Sequence, residues 1–187
     1  MEDIRRVAGA FYEHLPEKDK NLFRNIFKDM DKNRDGQISQ REYVKYLKKK
    51  KATGFTHQSI FSALDKDDNG SLDFEEAIVL FYIMESGRAL LCKSCNTFLT
   101  DVYFSCSQCF TSNDSTVSTY EICCDCFGGK KFTHHGDAIF CDNYTLLSRS
   151  RSLALAAPAE KRRSVLGTID MIVGVASIAG NLGCIIM

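Results

Sequence analysis

The chain has 187 residues, enough for one or two small domains, and its 24 Lys and Arg balance 24 Asp and Glu, which gives no global polarity favouring nucleic acid. Met1 to Leu15 has no continuous apolar stretch of the secretory kind, and Glu2 after Met1 excludes N-myristoylation, so a chain kept in reducing cytosol is expected. There, nine cysteines point to metal ligands rather than disulfides.

Leu22, Phe23, Ile26, Phe27 and Met30 draw an apolar helical stripe that ends at Asp31. From Asp31 to Glu42, oxygen-bearing side chains recur at the offsets of a calcium loop: Asp31, Asn33, Asp35, Ser39 and Glu42, with Gln37 offering its carbonyl and Gly36 at the sharp turn. Val44 and Leu47 continue an apolar stripe beyond it. Ile60, Phe61 and Leu64, with Thr56 as N-cap, form the next stripe. It leads into Asp65, Asp67, Asn69, Ser71 through its carbonyl, Asp73 and Glu76, with the turn at Gly70. Asp73 and Glu76 suit a capping arrangement before Ala77, Ile78, Leu80 and Phe81.

Each loop therefore sits between two helices, and a single helix-loop-helix cannot bury its apolar faces alone. Residues 19–86 resemble a paired EF-hand domain of the calmodulin-like superfamily. The resemblance implies that a short strand pair at Ile38 and Leu72 joins the loops. The second loop carries four carboxylates, Asp65, Asp67, Asp73 and Glu76, against Asp31, Asp35 and Glu42 in the first, so it is expected to bind Ca2+ more tightly and to admit Mg2+ more readily. The basic run Lys45 and Lys48 to Lys51 reads as a solvated helix face, with contact to anionic lipid or nuclear import as functional alternatives.

Residues 89–145 hold three CxxC pairs, Cys92 and Cys95, Cys106 and Cys109, Cys123 and Cys126, followed by His134, His135 and Cys141. Two thiolates two residues apart can grip one tetrahedral zinc from a tight turn, and two such pairs close a structural site. Short β runs are expected near Val102 to Phe104 and Thr119 to Ile122. A single zinc, or disulfides, are the alternatives. Cys124 is the spare thiol; as a nucleophile it would lack an orienting third residue and an oxyanion hole.

The order of pairs and the stretch Tyr120 to Phe127 resemble a ZZ-type zinc finger. That likeness implies cross-braced sites: Cys92, Cys95, Cys123 and Cys126 on one zinc, Cys106 and Cys109 with two of His134, His135 and Cys141 on the other, His134 and His135 being the expected pair. The segment from Cys109 to Cys123 is longer than in that family, and the histidines are adjacent. ZZ fingers capture peptide segments, which implies a protein or peptide ligand. A zinc-dependent ubiquitin ligase of the RING type would need Cys-x-His mid-series, a place taken here by Cys106 and Cys109.

Residues 146–164, with Ser148 to Ser152, Lys161, Arg162 and Arg163, read as a basic flexible linker. Residues 165–187 are dominated by apolar residues, carry Asp170 as their only charge and, at about 1.5 Å per residue, reach roughly 34 Å against a hydrocarbon core of about 30 Å. Gly167, Asp170, Gly174, Ser177 and Asn181 draw a small and polar stripe down one face. A membrane span, an interfacial helix, an intramolecular core helix and self-association all satisfy that pattern. Cys184-Ile185-Ile186-Met187 matches a C-a-a-X box, making Cys184 the candidate prenylation site with Lys161 to Arg163 as the second, basic signal.

The expected fold is thus mostly α: an EF-hand pair over 1–88, a small zinc-stabilised α+β finger over 89–145, and a C-terminal apolar helix. The expected function is a non-enzymatic calcium sensor and adaptor, with two Ca2+ and one or two Zn2+, at the cytosolic side of a membrane. A single-pass tail anchor, a ubiquitin ligase and a non-switching calcium buffer are the alternatives.

Overall fold

A computed structural model of the protein describes residues 1–156 apart from 113 and 115, with side chains as far as 152. Among these residues the chain is mostly helical, with short strands, and it divides into two compact units, Met1–Ala89 and a second beginning at Leu90. The expected tail at 165–187, including Cys184, lies outside the described residues.

In the first unit α2 (Glu17–Met30) enters the first loop, β1 (Ile38–Ser39) crosses its end and α3 (Gln40–Lys49) leaves it. A 3₁₀ turn at Thr53–Phe55 leads to α4 (Gln58–Leu64), then β2 (Ser71–Leu72) and α5 (Phe74–Glu85). The strands pair antiparallel with Ile38 opposite Leu72, both fully buried. Both exit helices open with a capping box, Ser39 with Glu42 and Asp73 with Glu76. The N-cap of α4 is His57, whose ring accepts from the Ser59 amide; Thr56 instead ends the 3₁₀ turn and donates its hydroxyl to Thr53 O. The correction follows from that turn, which uses up Thr56 before the helix begins.

A helix not anticipated from the sequence, α1 (Glu2–His14), precedes these elements. Its Ile4, Ala8 and Tyr12 are buried at one-turn spacing, and it packs on α5. That explains why α5 is apolar nearly all round: Ala77, Val79, Leu80, Phe81, Ile83 and Met84 are all buried, because the helix is covered on more than one side. Tyr12 stacks on Phe23, and Phe23 meets Phe81 at 5.0 Å, joining α1, α2 and α5 in one core.

In the second unit β3 (Tyr103–Cys106) is the centre of a three-stranded antiparallel sheet between β4 (Glu121–Cys123) and β5 (Phe140–Asp142). The first two strands fall near the expected β runs, and β5 is an addition. Phe104 faces Ile122 on one side and Asp142 on the other. One-turn helices α6 (Ser107–Thr111) and α7 (Cys124–Gly128) follow β3 and β4. The buried core is small, Cys92, Leu99, Ile122 and Cys126, edged by Phe104, Phe127, Phe132 and Phe140. Finally α8 (Asn143–Ala156) occupies the first part of the segment 146–164 that was expected as a flexible linker, the rest of which lies outside the described residues. Its start is fixed by Asp142, which accepts from the Thr145 amide at 2.9 Å, and Leu146 anchors it by burial.

Candidate metal centres

In the first loop the predicted ligands from Asp31 to Gln37 lie on one tight turn, Ser39 is the N-cap of α3 and Glu42 lies in its first turn. Asp31 accepts from the Arg34 and Gly36 amides, Asn33 from the Asp35 amide, and Asp35 from the Gln37 amide. Such bonds hold the backbone of the loop in its tight turn. Gly36 sits at φ +85° and Arg34 at φ +62°, in the left-handed region that the sharp turn requires. Glu42 closes the loop from α3, accepting from the Lys32 and Ser39 amides and the Ser39 hydroxyl. Burial works to raise the Glu42 carboxyl, but the hydrogen bonds from Ser39, Lys32 and Asn33 outweigh it and hold the group below the usual carboxylate range.

The second loop repeats the scheme. Asp65 accepts from the Asn69 and Gly70 amides, and Asn69 from that of Ser71, while Gly70 has φ +82° and Asp68 φ +57°. Glu76, almost fully buried, accepts from the Lys66 and Asp73 amides. Carboxylate oxygens of Asp65, Asp67 and Glu76 lie within 4.8 Å of one another; among the described residues the first loop has no such triplet. The Ser71 hydroxyl donates to the Gln37 side chain, tying one loop to the other beside the strand pair.

Cys92, Cys95, Cys123 and Cys126 come together, their sulfurs all within 4.8 Å. The first pair rides on a turn closed by Cys92 N–H to Thr97 O at 2.8 Å and Asn96 N–H to Cys92 O at 2.9 Å, with Asn96 at φ +58°. The second pair straddles the junction of β4 and α7. The Cys123 amide points at Cys92 Sγ (3.3 Å) and the Cys126 amide at Cys123 Sγ (3.4 Å). The Thr97 hydroxyl draws the Cys95 thiol down to about 6, whereas burial pushes Cys123 up to about 12. Four soft sulfur donors gathered within 4.8 Å of one another are a donor set that zinc takes.

Cys106, Cys109, His134 and His135 form the other cluster, again within 4.8 Å. Cys106 Sγ stands 3.3 Å from His135 Nε2, and Cys109 Sγ 3.2 Å from His134 Nε2. Both imidazoles thus turn the same nitrogen inward. Cys141 is not in the cluster; it is buried on β5, where the Arg149 guanidinium donates to it at 3.1 Å. The spare Cys124 is exposed and contacts Val102 O.

Asp137, which sequence reasoning passed over, accepts from His135 Nδ1 at 2.7 Å. A carboxylate behind a ligating imidazole fixes its tautomer and orientation. The hydrogen bond from His135 raises that histidine's pKa, and burial lowers that of His134. An acid two residues beyond a candidate ligand was the available signal.

Residues 19–82 match the EF-hand domain pair family, which suggests calcium binding by the two loops. The chain is similar to fimbrin of Dictyostelium discoideum, 40% identical over 77 residues, which is 40% of this chain and 12% of that protein. No solved structure matches.

Proposed function

We propose that the chain is a non-enzymatic calcium sensor and adaptor, in which Ca2+ at the EF-hand pair controls a protein or peptide ligand held by a ZZ-like zinc finger at a cytosolic membrane face. The observation that carries this reading is the second loop, where Asp65, Asp67 and Glu76 converge within an EF-hand match. Asp31, Asn33, Asp35, Gln37, Ser39 and Glu42 would hold the first ion, and Asp65, Asp67, Asn69, Ser71, Asp73 and Glu76 the second.

Zinc at Cys92, Cys95, Cys123 and Cys126, and at Cys106, Cys109, His134 and His135, would supply a structural cross-link to a unit whose apolar core is small. The membrane part rests on the composition of residues 165–187 and on Cys184 as a prenylation site. Among the described residues no helix is long and apolar enough to cross a membrane.

The test is calcium titration of the full-length protein with an apolar dye, alongside fractionation of wild type and Cys184→Ser from eukaryotic cells. Two bound ions, a rise in dye binding, and a membrane-bound wild type with a soluble mutant are expected. Calcium uptake with unchanged dye binding would make the protein a buffer, and carbonate-resistant membrane association of both forms would make it tail-anchored. Autoubiquitination with purified conjugating enzymes would replace the adaptor by a ligase.

A further inference from the structure

The seven-residue helix α4 ends one residue before Asp65, the first ligand position of the second loop. The last carbonyls of a helix have no partner within it. Here Arg5 Nη2 donates to Ala63 O at 2.8 Å and to Leu64 O at 3.0 Å, from a position 58 and 59 residues earlier in the chain. The guanidinium thus meets the negative end of α4.

The same helix also grips the other end of the loop. Tyr12 packs edge-on against Phe74 at 5.8 Å and Phe11 meets Tyr82 at 5.5 Å, while Ile4 and Ala8 are buried on the packed stripe of α1. Phe74 is the first residue of α5 and lies one turn before Ala77, in the segment that delivers Glu76. One helix therefore holds both the element that delivers Asp65 and the element that delivers Glu76.

We infer that α1 is a third, cis-acting helix of the second hand, and that Arg5 is a positioning residue for its calcium loop. This rests on the reading that Asp65 to Glu76 binds calcium. In this structure α1 is docked on α5, and Asp65, Asp67 and Glu76 are gathered. By linkage, docking of α1 favours calcium at that loop, and calcium favours docking of α1 to the same extent. Helix α1 as a whole is not specific to the second hand, since Tyr12 also stacks on Phe23 of α2. Arg5 is specific, because its hydrogen bonds to Ala63 O and Leu64 O both fall on α4.

The experiment isolates each loop in the full chain. In a Glu42→Gln background only the second loop retains its closing carboxylate, and in a Glu76→Gln background only the first. Calcium titrations compare Arg5 with Arg5→Met, which keeps most of the aliphatic stem, and with Arg5→Lys, which keeps the charge without the two-pronged donor. Arg5→Met is expected to weaken the second loop roughly fivefold, with partial recovery in Arg5→Lys, and to leave the first within roughly twofold. Helix content in chelator is checked first, and if Arg5→Met unfolds, the comparison rests on Arg5→Lys, for which an intermediate affinity is expected. Equal losses at both loops would mean that Arg5 acts on the fold in general, and no loss at the second loop would mean that α1 does not position it; either overturns the inference. A Glu42→Gln chain with Arg5 intact that takes up no calcium would remove the calcium reading itself, an outcome distinct from both.

Discussion

The sulfurs of Cys95 and Cys123 stand 3.8 Å apart although 28 residues separate them. This is about the edge length of a tetrahedron of sulfurs each roughly 2.3 Å from a zinc ion. A contact of this kind between two exposed or half-exposed thiols has no packing reason of its own, since neither side chain belongs to the fully buried core.

Cys123→Ser should therefore lower the zinc content by one ion per chain, measured by atomic emission on the purified protein. With a core of only a few buried side chains, strong chelation should also unfold the second unit while leaving the helical signal of the first. Amide spectra of the second unit that persist unchanged after zinc removal would contradict a structural metal.

His135→Ala and Cys141→Ser should behave differently. The first removes a member of the Cys106 and Cys109 cluster and should cost one zinc; the second removes a thiol bonded to Arg149 and should leave zinc content intact. Asp137→Asn, which weakens the support of the His135 ring, should reduce zinc affinity about 10- to 100-fold in competition with a chromophoric chelator.

In the first unit Tyr43 is fully buried and donates its hydroxyl to Phe55 O at 2.5 Å, tying α3 to the 3₁₀ turn. Tyr43→Phe leaves that carbonyl unpaired and should destabilise the unit by about 1–3 kcal/mol. Leu47→Ala, at another fully buried position of α3, should cost about 2–5 kcal/mol through the cavity it opens. Urea unfolding in chelator, followed by helical signal, measures both.

Asp142 at the start of α8 has its pKa lowered by hydrogen bonds from the Thr145 side chain and amide. A carboxyl whose folded pKa is depressed contributes above its unfolded pKa and loses that contribution as pH falls through the folded value. Protection of the Thr145 amide against exchange should therefore be full above the ordinary aspartate range of about 4 and decline below it. Asp142→Asn should retain a cap and flatten that decline; an unchanged acid profile would place the titrating group elsewhere.

The two calcium-type loops were legible residue by residue because their chemistry is local. Asp31, Gly36 and Glu42, like Asp65, Gly70 and Glu76, lie within one turn and its exit helix, so neighbours in sequence are neighbours in space. The same locality made the capping arrangement of Asp73 with Glu76 readable, whereas the pairing of Ile38 with Leu72, distant in the chain, was suggested only by the likeness to EF-hand pairs. The CxxC turns were readable as metal grips, but their spacing left open which pairs share a centre, and only the likeness to ZZ fingers suggested an answer.

Tertiary structure decided what distance along the chain conceals. The Lys93 amide donates to Glu121 O and the Cys123 amide to Cys92 Sγ, which holds β4 with Cys123 against the turn of Cys92 and Cys95, and the segment between α7 and β5 brings His134 and His135, rather than Cys141, beside Cys106 and Cys109. Helix α1 hid because its buried stripe is short, Ile4, Ala8 and Tyr12, with charges between; it becomes meaningful only against the second apolar face of α5. Likewise α8 contains a serine and arginine run that suits solvent, yet Leu146 and the Asp142 cap hold it as a helix. Ligand turns are set by backbone dihedrals and near neighbours, whereas the partners of a face are chosen by which distant surface can exclude water from it.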